Sequence, residues 1–260
     1  MTVNAERGYI ISAIDTETVD YLSCAVQLAK SIRQWHPDAD ISVLTVKRCS
    51  DPVFDHVISL PYGDLEGYAN DWQVFYASPY RQTIKLEADM LVTSPIDHWW
   101  TMLEHRDVVI STGSRNFYNQ PNQSRFYRKV FDVNQLSDVY NAITYWRLSS
   151  TAKEFWQLVR SIFTNWSRYR EIIKFAPDNP DTDLVYAMAA RIIGDDQVTM
   201  PFASYPQIVH MKKHLLPIQG KDWTQELLWE SMHGQLRINT IAQWGCVHYH
   251  NKTWCPKHEQ

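Results

Sequence analysis

The chain opens with short apolar runs alternating with helical periodicities. Tyr9-Ile10-Ile11-Ser12-Ala13-Ile14 is brief, β-branched and without a 3.6-residue period, which predicts a buried strand ending at Asp15. Over residues 18–35 the apolar positions Leu22, Ala25, Val26, Ala29 and Ile32 recur at three and four residues. That spacing predicts a helix, which Pro37 stops just beyond His36. Residues 41–46 and 56–60 predict two more strands, and strand, helix, strand in this order predicts a right-handed crossover unit. After a Gly/Pro-punctuated loop (61–67) and a short aromatic helix (72–76), Gln82-Thr83-Ile84-Lys85-Leu86 predicts a strand running straight into Glu87-Ala88-Asp89. Met90-Leu91-Val92 follows it. Residues 107–111 and 139–148 read as strands, 151–166 and 181–193 as helices, and the polar stretch 113–123 as a long loop. The expected fold class is α/β, with a Rossmann-like, mostly parallel central sheet flanked by helices.

Size and composition narrow this. A chain of 260 residues with 45% hydrophobic content suits one large domain spanning 1–260. Its apolar runs fall short of the ~18 to 20 residues of a membrane helix, and Met1 to Arg7 lacks a signal-peptide pattern, so a cytoplasmic protein is expected. In such a compartment Cys24, Cys49, Cys246 and Cys255 are expected to be free thiols or, near the C-terminus, metal-capable. Charge is unevenly spread: from Arg106 to Lys174 there are 11 Lys and Arg against 5 Asp and Glu, a balance of +6 within a chain of net −4. That asymmetry fits an anionic partner on the middle of the chain, or simply a solvated face.

The residues that carry chemistry sit at two stations. Glu87 and Asp89, two apart just after a strand, project to the same side of an extended backbone. One can grip a hard cation while the other touches ribose or water, although an acidic pair at a strand end also fits plain surface charge. At the tail, Cys246-Val247-His248-Tyr249-His250-Asn251-Lys252 offers a histidine that completes a metal site and a lysine that neutralises diphosphate. A rival reading takes Cys246, His248, His250 and Cys255, with His258 nearby, as ligands of structural zinc in a non-catalytic or nucleic-acid-binding module. A nucleotidyltransferase would be expected to carry a Gly-rich phosphate loop after its first strand; Asp15-Thr16-Glu17-Thr18 has no glycine.

With these stations in order, the chain resembles the retaining GT-A glycosyltransferases of family 8, which include glycogenin and bacterial galactosyltransferases. Ala13-Ile14-Asp15 and Tyr21-Leu22 resemble the family's opening nucleotide-binding strand and helix; Tyr80 to Val92 resembles its strand into an Asp-x-Asp motif. Tyr140-Asn141-Ala142-Ile143 resembles the Asn-Ala/Ser-Gly-Val segment, Asp181-Thr182-Asp183 the Asp-Gln-Asp, and His248-Tyr249 with Lys252 and Trp254 the shortened tail. Glu87, Ile143, Thr182 and Thr253 depart from that pattern. The resemblance implies a Mn²⁺ or Mg²⁺ ion on Glu87, Asp89 and His248. It implies a UDP-sugar donor contacted by Ala13, Ile14, Asp15, Tyr21, Arg81, Lys85, Glu87, Ala88, Asn141 and Lys252. Asp181, Asp183 and Lys252 take the catalytic positions, with 1–112 as nucleotide-binding half and 113–260 as acceptor-binding half and metal-binding tail.

For the acceptor, segments 115–129 and 166–174 interleave basic and aromatic side chains, which suits phosphate contact with base stacking as well as carbohydrate stacking. The expected acceptor is therefore a glycan or a hydroxymethylated DNA base, as in a phage-encoded DNA-modifying member acting in its host's cytoplasm; the alternative is that Phe126, Tyr127 and Trp166 are core.

Overall fold

A computed structural model describes residues 5–65, 67–122, 128–200, 206, 208–220 and 222–254. Along the chain run β1 (Ala5–Ser12), α1 (Tyr21–Trp35), β2 (Ile41–Leu44), β3 (His56–Ile58), α2 (Gln73–Ala77), β4 (Tyr80–Glu87) and β5 (Met90–Val92). Then come α3 (His98–Leu103), β6 (Val108–Thr112), α4 (Lys129–Val133), β7 (Val139–Arg147), α5 (Ser150–Thr164), α6 (Trp166–Ile172), α7 (Thr182–Ile193) and α8 (Asp195–Val198). The remainder holds β8 (Ile208–His210), α9 (Trp223–Glu226), β9 (Trp229–Met232), β10 (Gln235–Ile238), β11 (Ile241–Ala242) and β12 (Cys246–His248).

The central sheet has the order β3-β2-β1-β4-β7-β6. Four neighbouring strands, β3, β2, β1 and β4, are parallel, and β7 is antiparallel to both β4 and β6. This is the expected mixed, mainly parallel α/β sheet. Strand order reverses between β1 and β4, where register pairs Ser12 with Glu87, so the carboxyl ends of both strands share one edge. In open α/β sheets that edge is where ligands bind. Antiparallel β7 brings its opening residues to the same edge, with Ile143 opposite Leu86.

Alternation along β1 builds a core on each face. Ile10 faces the layer of α5 and α7, with Phe155, Trp156, Val159, Leu184 and Tyr186. Tyr9 and Ile11 face α1 and α3, with Leu28, Ile32 and Trp99. Helix α1 begins at Tyr21 rather than near residue 18, because the Asp20 side chain accepts from the Ser23 backbone N–H as an N-cap. The single helix expected over 151–166 divides at Asn165, whose φ of −111° and ψ of 30° break the helical run while its side-chain amide donates to the Ser161 carbonyl. The stretch 113–122 is tethered rather than free: Arg115 bridges to Pro121 and Val209, and Phe117 is fully buried. No helix among the described residues is long and apolar enough to cross a membrane.

The C-terminal region, read from sequence only as a tail, forms a small sheet β5-β12-β8 and a meander β9-β10-β11. β12 pairs antiparallel with β5, placing His248 opposite Met90 and beside Asp89. Burial also sets one titration. His36 is buried at the C-cap of α1, its Nε2 accepts the Ile96 backbone N–H at 3.0 Å, and Nδ1 lies 2.8 Å from Asp97. An accepting Nε2 requires the neutral ring, and burial pulls its pKa below the ordinary imidazole value despite Asp97. The unfolded chain then binds this proton first, so the contribution is whole above pH ~6.5 and declines as pH falls below it, by at most about 1.4 kcal/mol per unit. Melting curves from pH 8 to 5 are expected to show a shallower acid loss for His36→Gln than for the parent; parallel losses would refute the neutral assignment.

Candidate active-site cleft

At the shared strand edge lies a cleft of about 670 Å³. Of the residues predicted from sequence, Ile14, Tyr21, Glu87, Ala88, Asp89, Asn141, Asp181, Asp183, His248 and Lys252 line it. They come from the start of α1, from β4, β7, α7 and β12 or their ends, and from the loops after β1, β4 and β12, separated by up to 238 positions in the chain, counted from Ile14 to Lys252.

Its acidic end is compact. Glu87 closes β4 and Asp89 follows two residues on, almost wholly buried at 3% exposure. His248 Nε2 is 2.9 Å from Asp89 Oδ2 and 3.4 Å from Glu87 Oε2, and Lys252 forms an ion pair with the same Asp89 oxygen. Burial lowers the pKa of His248 against the opposing pull of Glu87, which keeps the ring neutral and its nitrogen available as a ligand. Burial likewise lowers that of Lys252, with Glu87 opposing. One ligand atom from each of Glu87, Asp89 and His248 lies within 4.8 Å of the others. Two carboxylate oxygens and one imidazole on one side of an open cleft could hold a divalent cation with coordination positions left open toward the cleft.

The opposite wall rests on buried ion pairs that sequence reasoning did not assign. Asp183 accepts from the Asn141 backbone N–H at 2.8 Å and from Arg128 at 3.0 Å. Arg128, 3% exposed, also binds Asp138 at 2.6 Å and lies over the rings of Phe131 and Tyr140. Asp183 therefore fixes Asn141, whose Nδ2 is buried without a partner among the described residues. Such a donor on a cleft wall is the mark of a group arranged for something bound. Asp181 caps α7 by accepting the Leu184 N–H at 3.0 Å, so the helix-terminus role and the place on the cleft coincide. Asp71, just ahead of α2, also lines the cleft; Lys85 holds it at 2.8 Å and the Tyr186 hydroxyl donates to it.

Four predicted contacts, Ala13, Asp15, Arg81 and Lys85, are not among the residues that line the cleft. Ala13 is fully buried in the α1 face of the core. Asp15 ties the loop after β1, accepting the Leu22 N–H at 3.0 Å and pairing with Lys47. Lys85 has no exposure, since its ammonium is taken by Asp71 and the Asn141 carbonyl. Arg81 pairs with Glu6 at the far end of β4, six residues from Glu87, or about 20 Å at ~3.3 Å per residue.

Packing takes part of the expected basic-aromatic surface, while Tyr118, Lys129, Arg168 and Lys174 stay exposed. Phe117 and Trp166 are buried, Arg128 is ion-paired in the interior, and Arg170 pairs with Asp178. Arg125, Phe126 and Tyr127 lie outside the described residues, as do Cys255 and His258. The expected Cys/His zinc set does not assemble among those described: Cys246 is buried in the apolar α1-side core, and His248 and His250 meet His210 instead. Asp71, Asn70, His210 and Lys212 are lining residues that no motif singled out.

No family model matches this sequence, and no curated protein matches it. Among solved structures it is similar to the galactosyltransferase LgtC in complex with donor and acceptor sugar analogs, at 14% identity over 70% of each chain with a TM-score of 0.47. It is also similar to the glycosyltransferase GlyE of Streptococcus pneumoniae TIGR4 in its apo form, at 11% identity and a TM-score of 0.44, over 76% of this chain and 46% of that one. It thus spans a little under half of GlyE. At this level the comparison describes a partial overlap of shape, and the function has to be argued from the cleft itself.

Proposed function

We propose that the cleft binds a nucleotide-diphosphate sugar, in the first instance a UDP-sugar, and that the protein is a metal-dependent glycosyltransferase. The observation that carries this reading is the convergence of Glu87 and Asp89 at the strand-order reversal with His248 and Lys252 from the far end of the chain. A cation-binding triad with a lysine on its central carboxylate, beside a sugar-sized polar wall, is the arrangement a diphosphate-linked donor needs. The resemblance through the motifs around Asp89, Asn141, Asp181 and His248 points the same way.

When bound, Mn²⁺ or Mg²⁺ would supply charge neutralisation of the two phosphates. Glu87, Asp89 and His248 would hold it. Lys252, already poised on Asp89, would transfer its ammonium contact to a phosphate oxygen and stabilise the charge that grows on the departing nucleoside diphosphate. Ile14 and Tyr21 would flank the nucleoside, while Asn141 Nδ2 would donate to a sugar hydroxyl and Asp181 would accept from another. In the retaining chemistry the resemblance implies, the acceptor oxygen bonds the anomeric carbon on the face from which the phosphate oxygen leaves. That phosphate takes the acceptor's proton. The proposed acceptor is a glycan hydroxyl, since burial of Phe117, Trp166 and Arg128 withdraws three of the basic and aromatic side chains that base stacking would use.

The test is UDP release from a panel of UDP-sugars with Mn²⁺, with Mg²⁺ and after chelation, each with simple saccharides or hydroxymethylated DNA added. Metal-dependent release, stimulated by a saccharide, is expected. Stimulation by the DNA alone would replace the glycan acceptor, and absence of both turnover and calorimetric UDP binding would overturn the donor site.

A further inference from the structure

We infer that His210, His248 and His250 form a second metal site, an all-imidazole one that takes a borderline transition ion such as Zn²⁺ and competes with the carboxylate site for His248. One ring nitrogen from each of the three lies within 4.8 Å of the others. His250 Nε2 and His210 Nδ1 are 3.3 Å apart. Two nitrogens each ~2.0–2.1 Å from a tetrahedral zinc stand about 3.3–3.4 Å apart, so this pair is already spaced as co-ligands.

His248 and His250 stack at 3.8 Å between ring centroids, and His210 stands nearly perpendicular to His250 at 4.4 Å. Burying three imidazoles together is favourable only if their nitrogens find partners. The His210–His250 contact satisfies one nitrogen on each ring. His210 Nε2 and His248 Nδ1 remain buried without a partner among the described residues, in side chains that are 4% and 6% exposed. His248 turns its other nitrogen, Nε2, toward Asp89 and Glu87, so one ring serves two neighbouring donor sets.

The chemistry of the two sets differs. Nitrogen donors favour later first-row ions over Mn²⁺ and Mg²⁺, whereas the oxygen-rich set suits the latter. Arg128 and Lys212 oppose an added cation at this place, while Glu87 and Asp183 favour it. All three histidines line the cleft, which leaves the fourth position open to water or an anion. Competition with Mn²⁺ rests on the cation site proposed above; zinc binding itself does not.

Zn²⁺ and Mn²⁺ are titrated separately into the metal-free protein, with Co²⁺ as a spectroscopic probe, in the parent, His250→Ala, His210→Gln and Glu87→Gln proteins, each checked for folding by circular dichroism. One zinc per chain is expected, with the intense visible bands of four-coordinate cobalt. His250→Ala and His210→Gln are each expected to weaken zinc by ~10-fold or more, and Glu87→Gln to leave it unchanged while weakening Mn²⁺. His250, half-buried at the cleft, keeps the test open if the buried His210 tolerates no change. Zinc affinity untouched by both histidine changes, or no zinc bound at micromolar concentration, overturns the site. Zinc bound as described with Mn²⁺ bound nowhere sustains this site and removes the carboxylate one.

Discussion

Asp89→Asn is expected to lower metal-dependent UDP release by about 10³-fold while leaving the metal-free protein folded. The carboxylate is 3% exposed and its Oδ2 meets both His248 and Lys252, so it is the centre of the triad. Asparagine keeps the shape and one acceptor oxygen but loses the charge that makes a hard cation bind there. Without metal the stability change should be small, because Lys252 is partly exposed and can turn to water. With metal the contrast grows: a ligand at 100 times its Kd stabilises the parent by about 2.7 kcal/mol, an increment the variant should lack. Release within ~10-fold of the parent, or an undiminished Mn²⁺-induced rise in melting temperature, would mean that the ion is held elsewhere. Glu87→Gln should be milder, about 10- to 100-fold, since its carboxylate stands 3.4 Å from His248 and is more open to solvent.

The same residues show what a sequence can carry. β1, α1, β4, β7 and α7 are visible because each holds an apolar run or stripe long enough to show a period, and Pro37 and Gly194 mark where the two helices stop. β8 and β12 are not, being three residues each. Their strand character comes from pairing with each other and with β5, a tertiary event with no local trace. In the cleft, Glu87, Asp89, His248 and Lys252 could be brought together on paper because their residue types are complementary parts of one chemistry. Asp71 and His210 could not, since each takes its meaning from one partner that arrives from a distant segment, Lys85 and His250 respectively. One signal was present and unread: a lysine in the middle of Ile84-Lys85-Leu86, an apolar strand bound for the interior, demands a buried anion. Arg81 failed for the opposite reason, because proximity in sequence to Glu87 along an extended strand is distance in space.

That buried lysine gives the largest expected effect on stability. Lys85 has no solvent exposure, and its ammonium is shared between Asp71 at 2.8 Å and the Asn141 carbonyl at 3.2 Å, with the Tyr186 ring 5.3 Å away. Lys85→Met preserves most of the volume, so little cavity forms, but it strands the Asp71 carboxylate, whose side chain is only 12% exposed. Breaking a buried pair from one side costs about 3–5 kcal/mol. For a chain of this size that corresponds to a fall in melting temperature of roughly 10 °C. Tyr186 still donates to Asp71 and sets the loss toward the lower end. The Lys85→Met, Asp71→Asn double variant is expected to recover part of the loss, because the two changes act on one interaction and are not additive. Calorimetry on the four proteins of the cycle gives the coupling directly, and a Lys85→Met cost below ~1 kcal/mol would show that the pair does not hold the wall. Donor titration separates the second role. Asp71 lines the cleft while Lys85 lies behind it, so a double variant that regains stability yet binds donor more weakly would assign Asp71 to the ligand as well as to the fold.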